Sequence, residues 1–245
     1  MLALEVGEDR LLGGAVRLRQ PRHGYRAAID AVLLAAAVPA TDGDLVADLG
    51  TGAGAAALCL LARCPGCRVT GFEREPALAA LAADNAGLNG VADRFAVVAG
   101  DIASLPPDRH GRFDCVMANP PYLPKARAAT DADSATVEDG AALEDWVRVA
   151  LALVRPKGTV ALIHRADRLD ELLSLLRRGA GGMVVLPLWP RRGLPAKRVV
   201  VRARRGIRAP LVLAPGLVLH GDDGCYTREA ERVLRGAQSL DDAGS

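Results

Sequence analysis

From residue 45 onward, short apolar runs take turns with stretches of helical character. The runs are LVADLG (45–50), CRVTGFE (67–73), FAVVAGD (95–101), FDCVMAN (113–119) and GTVALIH (158–164). Between and after them lie segments at about 54–63, 76–88, 141–154 and 168–178 that read as helices. Strands apolar on both faces and joined by helices require a parallel sheet covered on both sides. The end of the chain is richer in strands, with MVVLPLW (183–189), RVVVRAR (198–204) and LVLAPGLVL (211–219). Upstream, Ile29, Val32, Leu33, Ala36 and Ala37 follow helical spacing, so 28–38 is expected to form an amphipathic helix stopped by Pro39. Neither an internal repeat nor a Ser/Gly linker interrupts the chain. One domain over 1–245 is expected, with 1–40 as an N-terminal segment that lids the cofactor and substrate and 41–245 as the core.

A chain of 245 residues buries roughly 70–75% of its unfolded surface. With half its residues apolar but only three Phe, two Trp and three Tyr, that core is built from Ala, Val and Leu. The N-terminus, MLALEVGEDR, places three acids in its first nine residues and has no basic, signal-like start. The longest apolar run, 31–40, is about half a membrane span. A cytoplasmic protein without membrane contact is expected. Cys59, Cys64, Cys67, Cys115 and Cys225 are read as free thiols. Cys64 and Cys67 have metal-knuckle spacing, but no second pair completes four ligands, so a tight turn and no metal are expected. Net charge is only +2, yet 155–208 hold fourteen Lys or Arg against three acids, while 130–150 hold six acids against one Arg. A basic block beside an acidic loop suggests an oriented polyanion as partner; a solvated Arg-rich surface fits the composition equally well.

The first core strand runs into DLGTGAGAAAL (48–58), where Gly50, Gly52 and Gly54 precede a helix. Glycines there let a ligand approach the backbone, and the helix start offers unpaired amides. Gly50, Gly52 and Ala55, with Glu73 23 residues after Gly50, also satisfy the dinucleotide pattern, so nicotinamide binding stays open. Asp48 argues against it, because a carboxylate beside the turn would repel a pyrophosphate. S-adenosylmethionine instead brings an ammonium and a sulfonium. On this reading Glu73 accepts from the ribose hydroxyls, Asp101 accepts from the adenine amino group and the amide of Ile102 faces the ring. Taken singly, each acid could equally be a helix cap or a solvent contact.

The fourth core strand ends in Asn119-Pro120-Pro121-Tyr122. Proline fixes its own φ and holds the preceding residue extended, so this segment is stiff. With these motifs the chain resembles class I S-adenosylmethionine-dependent methyltransferases of the amino-methylating NPPY group. The resemblance implies a single Rossmann-like α/β domain: a mostly parallel seven-stranded sheet, helices on both faces and one late antiparallel strand. It also implies that the Asn119 side-chain oxygen and the Pro120 carbonyl accept the two N–H bonds of a planar amino group while Tyr122 stacks on the substrate. Positioning and a good leaving group then carry the reaction without a strong base.

Both ends narrow the substrate. GGAVRLRQPRHGYRAAIDAVLLAAA (13–37), with Tyr25, Arg26 and Asp30, is similar to the N-terminal signature of bacterial tRNA(Val) adenine-37 N6-methyltransferases. LPAKRVVVRARRG (194–206) and the closing stretch from 211 resemble that family's late basic strand and Tyr-Thr helix. The resemblance implies a tRNA partner, and by analogy Arg26 and Asp30 order the methionine end of the cofactor, with a helix-cap role for Asp30 equally open. Phosphate contacts then fall to the basic segments, chiefly Arg191, Arg192, Lys197 and Arg198, with Lys125 near the motif. The loop after NPPY is acidic and lacks an aromatic until Trp146, so it reads as a lid rather than an RNA grip. Release-factor glutamine methyltransferases share NPPY but resemble proteins with a helical domain ahead of the cofactor motif, for which 47 residues are too few. A nicotinamide-dependent oxidoreductase and a non-catalytic RNA-binding module are the remaining readings. Neither gives Asn119 a task.

Overall fold

A computed structural model describes residues 5–23, 29–121, 123–124, 137–138 and 142–240. A hairpin of β1 (Val6–Leu11) and β2 (Val16–Pro21) precedes α1 (Ile29–Ala37). The core begins with β3 (Leu45–Leu49), α2 (Ala55–Arg63), β4 (Arg68–Glu73), α3 (Pro76–Leu88), β5 (Phe95–Ala99) and β6 (Phe113–Ala118). Two short paired strands follow, β7 (Leu123–Pro124) and β8 (Val137–Glu138). Then come α4 (Leu143–Leu153), β9 (Val154–Arg165), α5 (Leu169–Leu176), β10 (Ala180–Arg191), β11 (Arg198–Arg205), β12 (Val212–Leu213), β13 (Leu217–His220) and α6 (Arg228–Leu234).

The main sheet runs β12-β10-β11-β9-β6-β3-β4-β5, with β13 also paired to β10. Strands β5, β4, β3, β6 and β9 are parallel, and β11 is antiparallel to both its neighbours. These are the seven strands that the resemblance implies, with their late antiparallel member; β12 and β13 widen the sheet to nine. The single strand expected over 211–219 is two. Pro215 has no amide to give the ladder, and Gly216, at φ +80°, turns so close under Pro187 that a Cβ would stand 2.1 Å from its carbonyl oxygen.

Side chains alternate across the sheet as burial on both faces demands. Cys115 and Met117 of β6 join the apolar cluster of α1, α2, α3 and α6, while Val116 and Ala118 join that of α4 and α5. The helix expected to be amphipathic is α1, but every residue from Ala31 to Ala37 is buried, because it packs against α2 and α6 as well as the sheet. A second difference lies upstream, where the hairpin was not anticipated. In β2, Val16, Leu18 and Gln20 are buried and Arg17 and Arg19 exposed, the period of a half-buried strand.

That hairpin is fastened by two asparagines one turn apart, Asn85 on α3 and Asn89 just past its end. The buried Asn85 amide accepts from the Arg19 N–H (2.9 Å) and donates to the Arg19 carbonyl (2.7 Å) and the Ala53 carbonyl (2.9 Å). Asn89 makes the equivalent pair with Arg17, at 2.9 and 2.7 Å. Side-chain amides thus take the place of a neighbouring strand along the edge of β2. Asn85 also ties the hairpin to the loop that follows β3.

Candidate active site

Strand register brings the motifs to one edge. Leu49 is level with Phe72 and with Ala118, so Asp48, Glu73 and Asn119 lie within one residue of a common row. Glu73 is level with Ala99, which puts Asp101 two residues beyond. This is the carboxyl edge of the parallel strands, where open α/β sheets bind ligands.

Asp48 is 2% exposed at the end of β3. The Thr51 hydroxyl donates to its Oδ2 at 2.6 Å. Burial pushes its carboxyl up to about 7, with the neighbouring Glu73 charge adding to the rise while the Thr51 hydroxyl and the Ala57 backbone oppose it. Glu73, buried at the end of β4, accepts from the Gly52 N–H (2.8 Å) through Oε2 and from the Glu75 N–H (2.9 Å) through Oε1. One lone pair on each oxygen therefore holds the glycine loop to the start of α3. Asp101 caps the short 3-10 turn that follows it, accepting from the Ala103 N–H at 2.9 Å, and Ile102 is buried behind it. The capping role open to these acids is thus realised at Asp101.

Gly50, Gly52 and Gly54 all have positive φ, at +64°, +58° and +90°. Two are also needed for packing: a Cβ on Gly50 would lie 2.5 Å from the Trp146 ring, and one on Gly54 2.8 Å from Phe95. On Gly52 a Cβ would meet nothing within 4 Å, so this part of the loop borders open space. The chemistry of the lining fits a cation there. The Glu73 charge raises the cost of ionising Asp48, so a positive group between them would lower it and a pyrophosphate would add to the repulsion.

At the end of β6, Asn119 is half-buried and Pro120 buried. Tyr122 and Lys125 lie outside the described residues, as do Tyr25, Arg26 and the 125–136 stretch of the expected lid. Beyond β6 the edge turns basic. Arg191, Arg192 and Lys197 are exposed. Arg198, which its basic segment offers to phosphate, reaches across to α1 and donates from Nε to Asp30 Oδ2 at 3.2 Å. Asp30 is correspondingly engaged with that guanidinium, on the residue that begins β11. His164, fully buried near the end of β9, is pushed down to about 4 by burial and by the Arg168 charge, and is therefore neutral at pH 7.

Three residues of this region escaped the sequence reading. Thr51 sits between Asp48 and Gly52 and had a local signal, since a hydroxyl three residues after a buried acid is placed to donate to it. Trp146 and Asn85 had none, because their contacts come from α4 and α3, far along the chain. The Cys64–Cys67 segment is the expected tight turn, with the Cys67 N–H bonded to the Cys64 carbonyl at 3.2 Å. Among the described residues no cluster could hold a metal, and no helix is long and apolar enough to cross a membrane.

The model of the methyltransferase small domain family matches residues 27–165. The tRNA1(Val) (adenine(37)-N6)-methyltransferase of Aeromonas hydrophila is 28% identical over 210 residues, covering 84% of this chain and 87% of that one. The protein of the same name from Porphyromonas gingivalis is 36% identical over 130 residues, where the match spans about half of each, 51%. A release factor glutamine methyltransferase of Chlorobaculum tepidum is 35% identical over 131 residues, 51% of this chain but 40% of that protein. Among solved structures, one titled a predicted O-methyltransferase, protein Atu636 from Agrobacterium tumefaciens, superposes with a TM-score of 0.74 at 29% identity, covering 86% and 97% of the two chains.

Proposed function

Because the chain belongs to the methyltransferase small domain family, we propose that it methylates an exocyclic amino group, adenine N6 in the anticodon loop of a tRNA, with S-adenosylmethionine as donor. The observation that carries this reading is the row of Asp48, Glu73 and Asn119 at one sheet edge, with two buried carboxylates suited to a cation beside an amide suited to an amine. The bound cofactor supplies an electrophilic methyl group on a sulfonium. Asp48, ionised, offers a fixed negative charge to its methionine end, and Thr51 holds that carboxylate still. Glu73 keeps the loop closed by its backbone bonds and has further lone pairs for hydroxyl donors. Asn119 and the Pro120 carbonyl accept the two N–H bonds and turn the amine's lone pair outward, and the proton displaced on N-methylation leaves to water. Positioning accounts for the rate, so no strong base is required.

The tRNA assignment is favoured over a protein glutamine by the length of the matches of each kind, which reach 90% of an adenine-modifying relative against 58% of a release factor glutamine methyltransferase. It is also favoured by the exposed Arg191, Arg192 and Lys197 on the same edge. Incubation with labelled S-adenosylmethionine and total tRNA lacking the modification, followed by nucleoside digestion, is expected to yield labelled N6-methyladenosine. Label confined to a release factor would establish the glutamine reading instead, and label in neither would overturn amino-group methylation.

A further inference from the structure

Where β10 and β13 end, the structure holds an aromatic stack for which the reaction has no use. His220, last in β13, pairs across the strands with Arg191 of β10, and its ring lies under Tyr226, centroids 4.8 Å apart and planes 25° apart. The stack is rigidly mounted. His220 Nδ1 is 3.2 Å from the Pro190 carbonyl oxygen, and a turn over 221–225 is closed by the Gly221 N–H on the Cys225 carbonyl at 2.9 Å. Thr227 pins the other side. Its N–H bonds the Leu219 carbonyl (2.9 Å), its hydroxyl donates to the Val218 carbonyl (2.7 Å), and the same oxygen accepts from the Ala230 N–H (3.1 Å) at the start of α6.

Tyr226 is nonetheless 41% exposed. With one ring face covered by the imidazole, that exposure leaves ring surface for a further contact, at low entropic cost because the backbone beneath it is already fixed. On the side of β10 the flanking charge is positive. The Arg191 guanidinium lies against the turn, 3.7 Å from where a Cβ on Gly224 would stand, and Arg192 is exposed beside it. Asp222 and Asp223 in the turn disfavour phosphate directly above it, leaving Arg191 and Arg192 as the phosphate-facing side. From strand spacing and rise, the stack lies on the order of 25 Å from Asn119, too far to hold the reacting base.

We propose that Tyr226, backed by His220, is a stacking platform for an unpaired base of the substrate RNA a few nucleotides from the methylated one, with Arg191 and Arg192 on the adjoining backbone. This rests on the tRNA reading and adds where that RNA is gripped. Base–aromatic stacking of about 1–3 kcal/mol corresponds to a five- to 150-fold change in affinity. It carries no charge, so it leaves the dependence of binding on salt unaltered, unlike a phosphate contact.

The test measures binding of an unmodified tRNA transcript across a salt series for the wild type, Tyr226→Ala and Tyr226→Phe, with S-adenosylmethionine affinity as the folding control. The expected result is that Tyr226→Ala weakens tRNA binding about tenfold at every salt concentration, in parallel with the wild-type line, while Tyr226→Phe stays within about twofold of wild type. Undiminished binding by Tyr226→Ala would overturn the platform and leave the tRNA reading standing. A loss shared by Tyr226→Phe, or one accompanied by a flatter salt slope, would also overturn it by assigning the effect to the hydroxyl or to displaced charge. A wild type that binds no tRNA while methylating a release factor would remove the tRNA reading, and the platform with it.

Discussion

At the carboxyl ends of β3 and β4 the polar groups are buried and fastened to backbone amides, whereas at the ends of β10 and β13 they stand in solvent on strands that carry them outward. Glu73 has both oxygens on N–H groups and Asp48 is held by Thr51, so their positions are fixed before anything binds. Arg191 and Arg192 are exposed and reach as far as their side chains allow. The difference follows from what each half must do. A small cationic ligand needs charges preorganised in a dry place, where they interact strongly and need no reorganisation. A large polyanion needs many adaptable contacts, each weak and screened. Perturbing the first half should therefore cost a large, local and pH-sensitive amount, and perturbing the second a small, cumulative and salt-sensitive one.

The largest effect is expected between the halves, at Asn119. Replacing it with Ala removes the side-chain acceptor and should lower the methylation rate by at least ~100-fold, as loss of a single preorganised polar contact does. Cofactor affinity measured calorimetrically should change by no more than a few-fold. Normal turnover by Asn119→Ala would take that residue out of the mechanism and leave the carboxylates as the only preorganised groups.

Next comes Asp48. Its folded-state carboxyl titrates at about 7 against 3.8 in a free chain, so the folded protein holds this proton more tightly than the unfolded one. Stability from this group is therefore greatest below pH 4 and falls as pH rises from about 4 to about 7, a cost on the order of 4 kcal/mol once it is ionised. In Asp48→Asn the Thr51 hydroxyl keeps an acceptor and the cost is gone. Relative to wild type, the variant's urea midpoint should rise with pH across that window and level off above it. Its affinity for S-adenosylmethionine should drop at least ~10-fold and lose pH dependence, while the wild type binds more tightly as pH rises through about 7. Parallel stability profiles for the two proteins would mean that Asp48 is not buried as an acid.

How much of this was legible in the chain divides along the same line. The acids at strand ends and the glycine loop could be read because each follows its own apolar run, so local sequence fixes where the side chain emerges. The N-terminal hairpin could have been read from the alternation of Val16, Leu18 and Gln20 with Arg17 and Arg19, but short charged strands are easily taken for loop. What no local pattern carries is pairing at long range. Asp30 and Arg198 are 168 residues apart, and only the crossing of α1 over the start of β11 brings them to 3.2 Å. Arginines that look alike in a basic stretch are thereby divided into those bound to the protein's own acids and those left for a partner.

That division can itself be tested, with the smallest of the expected effects. Arg191 and Arg192 are exposed, whereas Arg198 is half-buried against Asp30. If the first two meet phosphates, the slope of log affinity against log salt contains about 0.7 for each contact with single-stranded RNA. Reversing both charges, Arg191→Glu with Arg192→Glu, should flatten the tRNA salt slope by about 1.4 or more and weaken binding most at low salt. Arg198→Gln should leave that slope alone, because its guanidinium is neutralised by Asp30, and should instead lower the melting temperature by loosening α1 from β11. A slope that responds to Arg198 and not to Arg191 and Arg192 would place the RNA nearer the cofactor half, over α1 rather than along β10. The separation of the edge into a dry, fixed half and a wet, adaptable one would then fail at the residue where the two meet.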